Sequence, residues 1–200
     1  MPTQPTPQKR RLAPAETREA ILRAALELMS ERSYQATTVP EVAARAGIAS
    51  GTIYLHFSSK EALVNAVYRE SKLEMQRFLV EAMSGARTPR GGFRRLWRGL
   101  FGFSRKQPEA FRFLEMHRHL PYLDEASREV ARVVFGGVAD FVHEAQKQGA
   151  IRKAPPEVLI SLAFGAFVGL AKEAECGHAP LNEKSIATSE TAVWAMLARP

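Results

Sequence analysis

Apolar residues recur along this chain at helical spacing, and stretches alternating with a period of two are almost absent, so an all-α protein of about nine helices is expected. Pro14 opens the first helix, whose buried face is Ile21, Ala25 and Leu28. A short second helix sets Val39, Val42, Ala43 and Ala46 on one stripe, and a third points Ile53 and Phe57 inward at i and i+4. A long helix over 60–83 follows, broken by Gly85 and Pro89. Further helices are expected over 91–106, 108–119 and 124–148, the last stopped by Gly149. Pro155 and Pro156 start an eighth that runs to 176, and a ninth spans 183–198.

The eighth helix (Val158, Leu159, Leu162, Ala163, Phe164, Ala166, Phe167, Val168, Leu170, Ala171) is apolar nearly all round, so it must be buried on more than one side. Gly165 and Gly169 permit close helix approach, and the ninth helix adds Ile186, Val193, Trp194 and Leu197. These residues serve either an intramolecular core or a seam between two copies of the chain.

The chemistry concentrates in residues 38–60. Thr38 and Glu41 have capping-box spacing, with Pro40 in the first turn, where a missing N–H costs nothing. Gly47 closes that helix, and Ser50 is expected to cap the next. With Ile53 and Phe57 turned inward, the outer face carries Ser50, Gly51, Thr52, Tyr54 and His56, short or hydrogen-bonding groups of the kind that meet base edges and phosphates. Ser59 caps the long helix, and Lys60 in its first turn opposes the helix dipole, a placement that suits a facing phosphate.

The run from Ala15 to Leu63, about a quarter of the chain, resembles the DNA-binding head of the TetR family of transcriptional repressors. It has the Thr-Thr-Val start, the Ala-Gly-Ile turn, Gly-Thr-Ile-Tyr, an aromatic after His56, and Ser-Lys-Glu-Ala-Leu. Ser33 departs from the pattern where many members have Gly, and Pro40 where a charged residue is usual. The resemblance implies a three-helix head with a helix-turn-helix, and DNA contacts from Thr38, Ser50, Gly51, Thr52, Tyr54, His56 and Lys60. It also implies a larger C-terminal domain that binds a small-molecule inducer, and a homodimer built through the last two helices. On that basis residues 1–12 form a disordered basic arm, 13–60 the head, and 61–200 the ligand-binding and dimerisation domain. A dimer would match a palindromic double-stranded operator, and an inducer would release it; activation, or an adaptor role with a decayed head, are the alternatives.

Composition adds bounds. No apolar run approaches the roughly 18 residues of a membrane span, and the N-terminal residues lack the apolar stretch of a secretory signal. The single cysteine, Cys176, excludes an internal disulfide and suits a reducing cytoplasm. No nucleophile elbow, phosphate-binding glycine loop or His-Glu-x-x-His is present, so neither an enzyme nor a cofactor is expected. Glu115, His117 and His119, like Glu173, Glu175, Cys176 and His178, lack a recognised metal-ligand spacing. The net charge is +7, yet residues 1–60 hold 8 basic and 5 acidic side chains, while 76–118 hold 10 basic and 3 acidic. Charge alone would place DNA binding in the wrong half.

The second half is rich in large residues. Phe93, Trp97, Phe101, Phe113, Met116, Tyr122 and Phe164, with His117 as a hydrogen bonder, are the expected lining of a hydrophobic inducer cavity. The nearby Arg87, Arg90, Arg94, Arg95, Arg98, Arg105 and Lys106 either face solvent or hold an anionic ligand such as an acyl-CoA. In the arm, Lys9, Arg10 and Arg11 suit phosphate or minor-groove contact. Replacing all three by Ala is expected to weaken DNA binding and to lower the log–log salt slope by about 0.9 per lost phosphate contact; an unchanged slope in a salt titration removes the arm from the interface.

Overall fold

The computed structural model describes residues 13–116 and 119–199. The chain begins with α1 (Pro14–Ala36), α2 (Val39–Ala46), α3 (Ser50–His56) and α4 (Lys60–Met83). It continues through α5 (Pro89–Lys106), α6 (Pro108–Met116), a 3-10 turn (Leu120–Tyr122), α7 (Glu125–Lys147), α8 (Pro156–Glu175) and α9 (Glu183–Leu197). No strand occurs among the described residues; an isolated bridge between Ile151 and Ala198 ties the α7–α8 link to the end of α9. The basic arm and His117 lie outside the described residues. No described helix is long and apolar enough to cross a membrane.

Local chemistry sets most helix ends. The backbone N–H of Thr38 donates to the Glu41 carboxylate (2.8 Å), closing the expected box. Gly47 takes the left-handed conformation (φ 70°) that ends α2. Ser59, Thr88, Asp124 and Asn182 cap α4, α5, α7 and α9 through their side chains. Two expectations fail. Ala49, not Ser50, is the N-cap of α3, so that cap has no side-chain oxygen and Ser50 is the first helical residue. The sixth helix, described as Pro108–Met116, does not include His119; Pro121 occupies the 3-10 turn that follows and has no N–H to continue a helix.

Ser33 shows the cost of its departure from the family pattern. It sits at φ 76°, ψ 161° inside α1, a region essentially reserved for glycine, and kinks the helix there. The buried Thr37 hydroxyl donates to the Ser33 carbonyl (2.8 Å) and holds the kink.

The head packs Ile21, Ala25, Leu28, Val42, Ala43, Ile53 and Phe57 against Leu63, Val64 and Val67 of α4, all buried. Further along, Met75 and Leu79 of the same helix are buried in the body. Gly99 lets α5 cross α4 closely, since a Cβ there would meet the Ala82 Cβ at 2.8 Å. A second tie runs from α1 to α6.

A buried amide fixes the junction. Asn65 donates to the carbonyls of Glu61 and Tyr122 (2.9 Å each) and accepts from the Asp124 N–H (2.9 Å). Arg69 extends this link to the Asp124 carboxylate and the Ser127 hydroxyl. The Ser127 contacts and the Arg69 guanidinium hold the Asp124 carboxyl below its usual range despite partial desolvation.

Ser33→Gly is expected to relieve about 1 kcal/mol of strain and raise the melting temperature by roughly 2–4 °C; an unchanged or lower midpoint in a thermal melt refutes the strain. Asn65→Ala strands a carbonyl and an N–H in the interior, and is expected to cost about 1–3 kcal/mol in denaturant unfolding. A loss below about 0.5 kcal/mol would show that water replaces the amide there.

Candidate functional site

The outer face of α3 is free of intramolecular cover. Tyr54 is 55% exposed and Leu55 83%, with Ser50 and Gly51 also exposed and Thr52 and His56 half-buried. Ile53 and Phe57 anchor this helix to the head core, so its outward residues are held by packing rather than by loop hydrogen bonds. Leu55 was not singled out from sequence. Its signal is plain in retrospect: it lies between Tyr54 and His56 and two residues past Ile53, off the buried stripe, where a leucine has no fold-related reason to stand.

The helix carries no lysine or arginine, so the cations near it stand on its flanks. Arg18, Arg32 and Arg45 of the head are ion-paired with Glu70, Glu41 and Glu27. Lys60 holds its ammonium 4.2 Å from the centre of the Tyr34 ring, an internal partner that explains how a cation sits at a helix N-terminus. The Tyr34 hydroxyl donates to Glu61 (2.5 Å); burial and then that carboxylate push the hydroxyl pKa up to about 12. Thr38 is exposed at the start of α2, its hydroxyl donating to Glu41 (2.7 Å).

In the body, a cavity of about 380 Å³ lies between α4, α5, α7 and α8. Tyr68, Lys72, Met75 and Leu79 form its α4 wall, at the i, i+4, i+7 spacing of one helix face. Phe93, Trp97 and Phe164 line it as expected from sequence. Phe101, Phe113, Met116 and Tyr122 do not. Phe101 packs edge-on against Phe167 (5.0 Å between centroids) in the core, and Phe113 is fully buried against His119. Met116 packs at the edge of the core, and Tyr122 meets Tyr34 in a tilted ring contact at the junction (4.6 Å between centroids).

The arginine row does not reach the cavity either. Arg90 and Arg94 pair with Glu190, and Arg98 and Arg105 with Glu183, so the basic face of α5 knits it to α9. Glu190 is buried beneath two of them. Among the described residues no cluster of three His, Cys, Asp or Glu is placed to hold a metal.

On the far side, α8 leaves an apolar strip open. Val158 (48% exposed) and Leu162 (51%) continue into exposed Gly165, Ala166 and Gly169, with nothing within 4 Å of a Cβ built on either glycine. Beside it α9 exposes Ala187, Thr188, Thr191, Ala192 and Ala195. The two faces are smooth and small-residued, as close helix packing requires.

Known proteins match the whole of this plan. The family model for bacterial regulatory proteins of the tetR family fits residues 21–67, and that for the tetracyclin repressor-like C-terminal domain fits 68–198. The HTH-type transcriptional regulator YhgD of Bacillus subtilis is 24% identical over 172 residues, covering 85% of this chain and 90% of that one. The HTH-type transcriptional repressor KstR2 of Mycolicibacterium smegmatis is 44% identical over 57 residues, 28% of each chain. A TetR family transcription regulator from Marinobacter aquaeolei VT8 has the same fold, with a TM-score of 0.85 at 22% identity over 93% of this chain and 97% of that one. With both halves matched, the chain belongs to the TetR family of DNA-binding transcriptional regulators.

Proposed function

We propose that the protein is a homodimeric repressor that leaves a palindromic operator when a hydrophobic small molecule fills the body cavity. The observation that carries this reading is the double duty of α4. Its first turns complete the core of the head, and its later turns form one wall of the cavity. A molecule that prefers a different spacing of α4, α5 and α7 therefore acts on the helix that completes the core beneath α1, α2 and α3. Coupling of this kind is typically worth about 1–3 kcal/mol, enough to shift operator occupancy.

Thr38, Ser50, Gly51, Thr52, Tyr54, His56 and Lys60 are the proposed DNA contacts, and Leu55 joins them through its exposure. A leucine there suits a thymine methyl or a sugar, a contact that also frees it from water. The open strips of α8 and α9 support a dimer seam, a two-fold arrangement that would set two recognition helices about 34–36 Å apart or a multiple of it. Long-chain acyl-CoA keeps only the support of the apolar cavity, because Arg90, Arg94, Arg98 and Arg105 are paired with α9 and Arg95 with the Ser84 carbonyl.

The test is fluorescence anisotropy on DNA from upstream of the protein's own gene, with sedimentation to read the oligomer. Wild-type protein is expected to bind as a dimer. Tyr54→Ala is expected to lose about tenfold or more in affinity while remaining dimeric. Leu162→Glu is expected to sediment as a monomer and to lose the operator with it. A wild-type monomer at micromolar concentration removes the seam, and a Tyr54→Ala variant that binds normally removes α3 as the reader.

A further inference from the structure

The α4 wall of the cavity carries one residue that an apolar pocket does not need. Lys72 stands in line with Tyr68, Met75 and Leu79, and is the only charged side chain among the described lining residues. It is largely buried, its side chain 16% exposed. Keeping an ammonium out of water is costly unless something answers its charge.

The answer provided within the fold is incomplete. Glu115 of α6 stands behind Lys72, its side chain 13% exposed, with 3.6 Å between Nζ and Oε1. That separation keeps the Coulomb attraction but exceeds hydrogen-bond range. Among the described residues Glu115 Oε1 has no hydrogen-bond partner. Desolvation holds the carboxyl above its usual range even with Lys72 and Lys172 nearby to favour its ionised form. Lys72 thus lines the cavity with its Nζ 5.8 Å from the centre of the Tyr68 ring and one carboxylate, loosely held, as its charged partner.

We propose that the cavity selects an amphipathic anion, an apolar body ending in one carboxylate, whose head group takes Lys72 in place of Glu115. This rests on the reading of the cavity as the ligand site. One lysine in an otherwise uncharged lining matches one negative charge. It argues for a free acid over a nucleotide-linked ester, whose reacting end is neutral and whose charge is multiple and remote. A cavity of about 380 Å³ falls in the range that encloses a small organic molecule. The exchange also has a mechanical effect, because Lys72 belongs to α4 and Glu115 to α6, and α6 packs on α1 of the head. An anion that captures Lys72 removes the ion pair between α4 and α6, leaving only their packing.

Calorimetric titration with decanoate, decanol and decyltrimethylammonium separates the parts of this claim. Wild-type protein is expected to bind decanoate about tenfold or more tighter than decanol, the usual gain from a charge-assisted contact. Glu115→Gln removes the internal competitor and is expected to tighten decanoate binding without changing that of decanol. Lys72→Met, and the double variant Lys72→Met/Glu115→Gln that leaves no buried charge unpaired, are expected to bind both alike. A decanoate preference that survives in the double variant, or tighter binding of the cationic probe by the wild type, overturns the proposal. Ala163→Trp fills the cavity and keeps the underlying reading separate. If it abolishes decanol binding while the wild type shows no decanoate preference, the cavity stands as a ligand site and the role of Lys72 falls. If the wild type binds none of the three probes, both fall.

Discussion

The buried amide of Asn65 holds the two halves of this molecule in one relation. It is nearly inaccessible to solvent, and it uses both N–H groups and its oxygen on three different backbone groups. Two of those groups, the Tyr122 carbonyl and the Asp124 N–H, belong to the segment between α6 and α7, more than fifty residues away in the chain. An apolar residue would bury as well but could not select one register. A satisfied polar hub does, because every alternative alignment leaves donors or acceptors stranded in a low-dielectric interior. The tilted pair of Tyr34 and Tyr122, with Lys60 over the Tyr34 ring, continues the junction to the head's surface.

This arrangement accounts for the distribution of charge. The surplus of arginine in α5 is spent on Glu183 and Glu190 of α9, joining helices that otherwise meet through aromatic and small residues. The α3 face meanwhile carries short neutral groups, which can approach a groove closely and without the orientational freedom of long cationic side chains.

Most of the fold was legible in the residues, because helix formation here is dictated locally. The helix over 60–83 appears with those bounds, as Ser59 caps it and the buried stripe continues through Leu79. The head was legible for a further reason: caps, turn and inward residues agree at every position, apart from Ser33 and the cap of α3. The cavity was harder. Helical periodicity marks Phe101, Phe113 and Phe93 alike as inward-facing, and only the angles between helices decide which of them meets another ring and which meets a void. Lys72 was readable but passed over. A lysine four residues after Tyr68 and three before Met75 interrupts an apolar face, and that interruption was a stronger signal than the abundance of phenylalanine.

The way α4 is shared has a consequence for how such proteins diversify. The three short helices and the residues that complete their core do not end together, since Leu63, Val64 and Val67 belong to a helix that runs on into the body. The unit that unfolds cooperatively is then larger than the unit that reads sequence. A head transplanted onto another body has to bring half a helix with it, and that half has to meet a foreign wall. Recombination of ready-made modules is thereby discouraged. Point substitution on the exposed α3 face, by contrast, leaves the shared core intact.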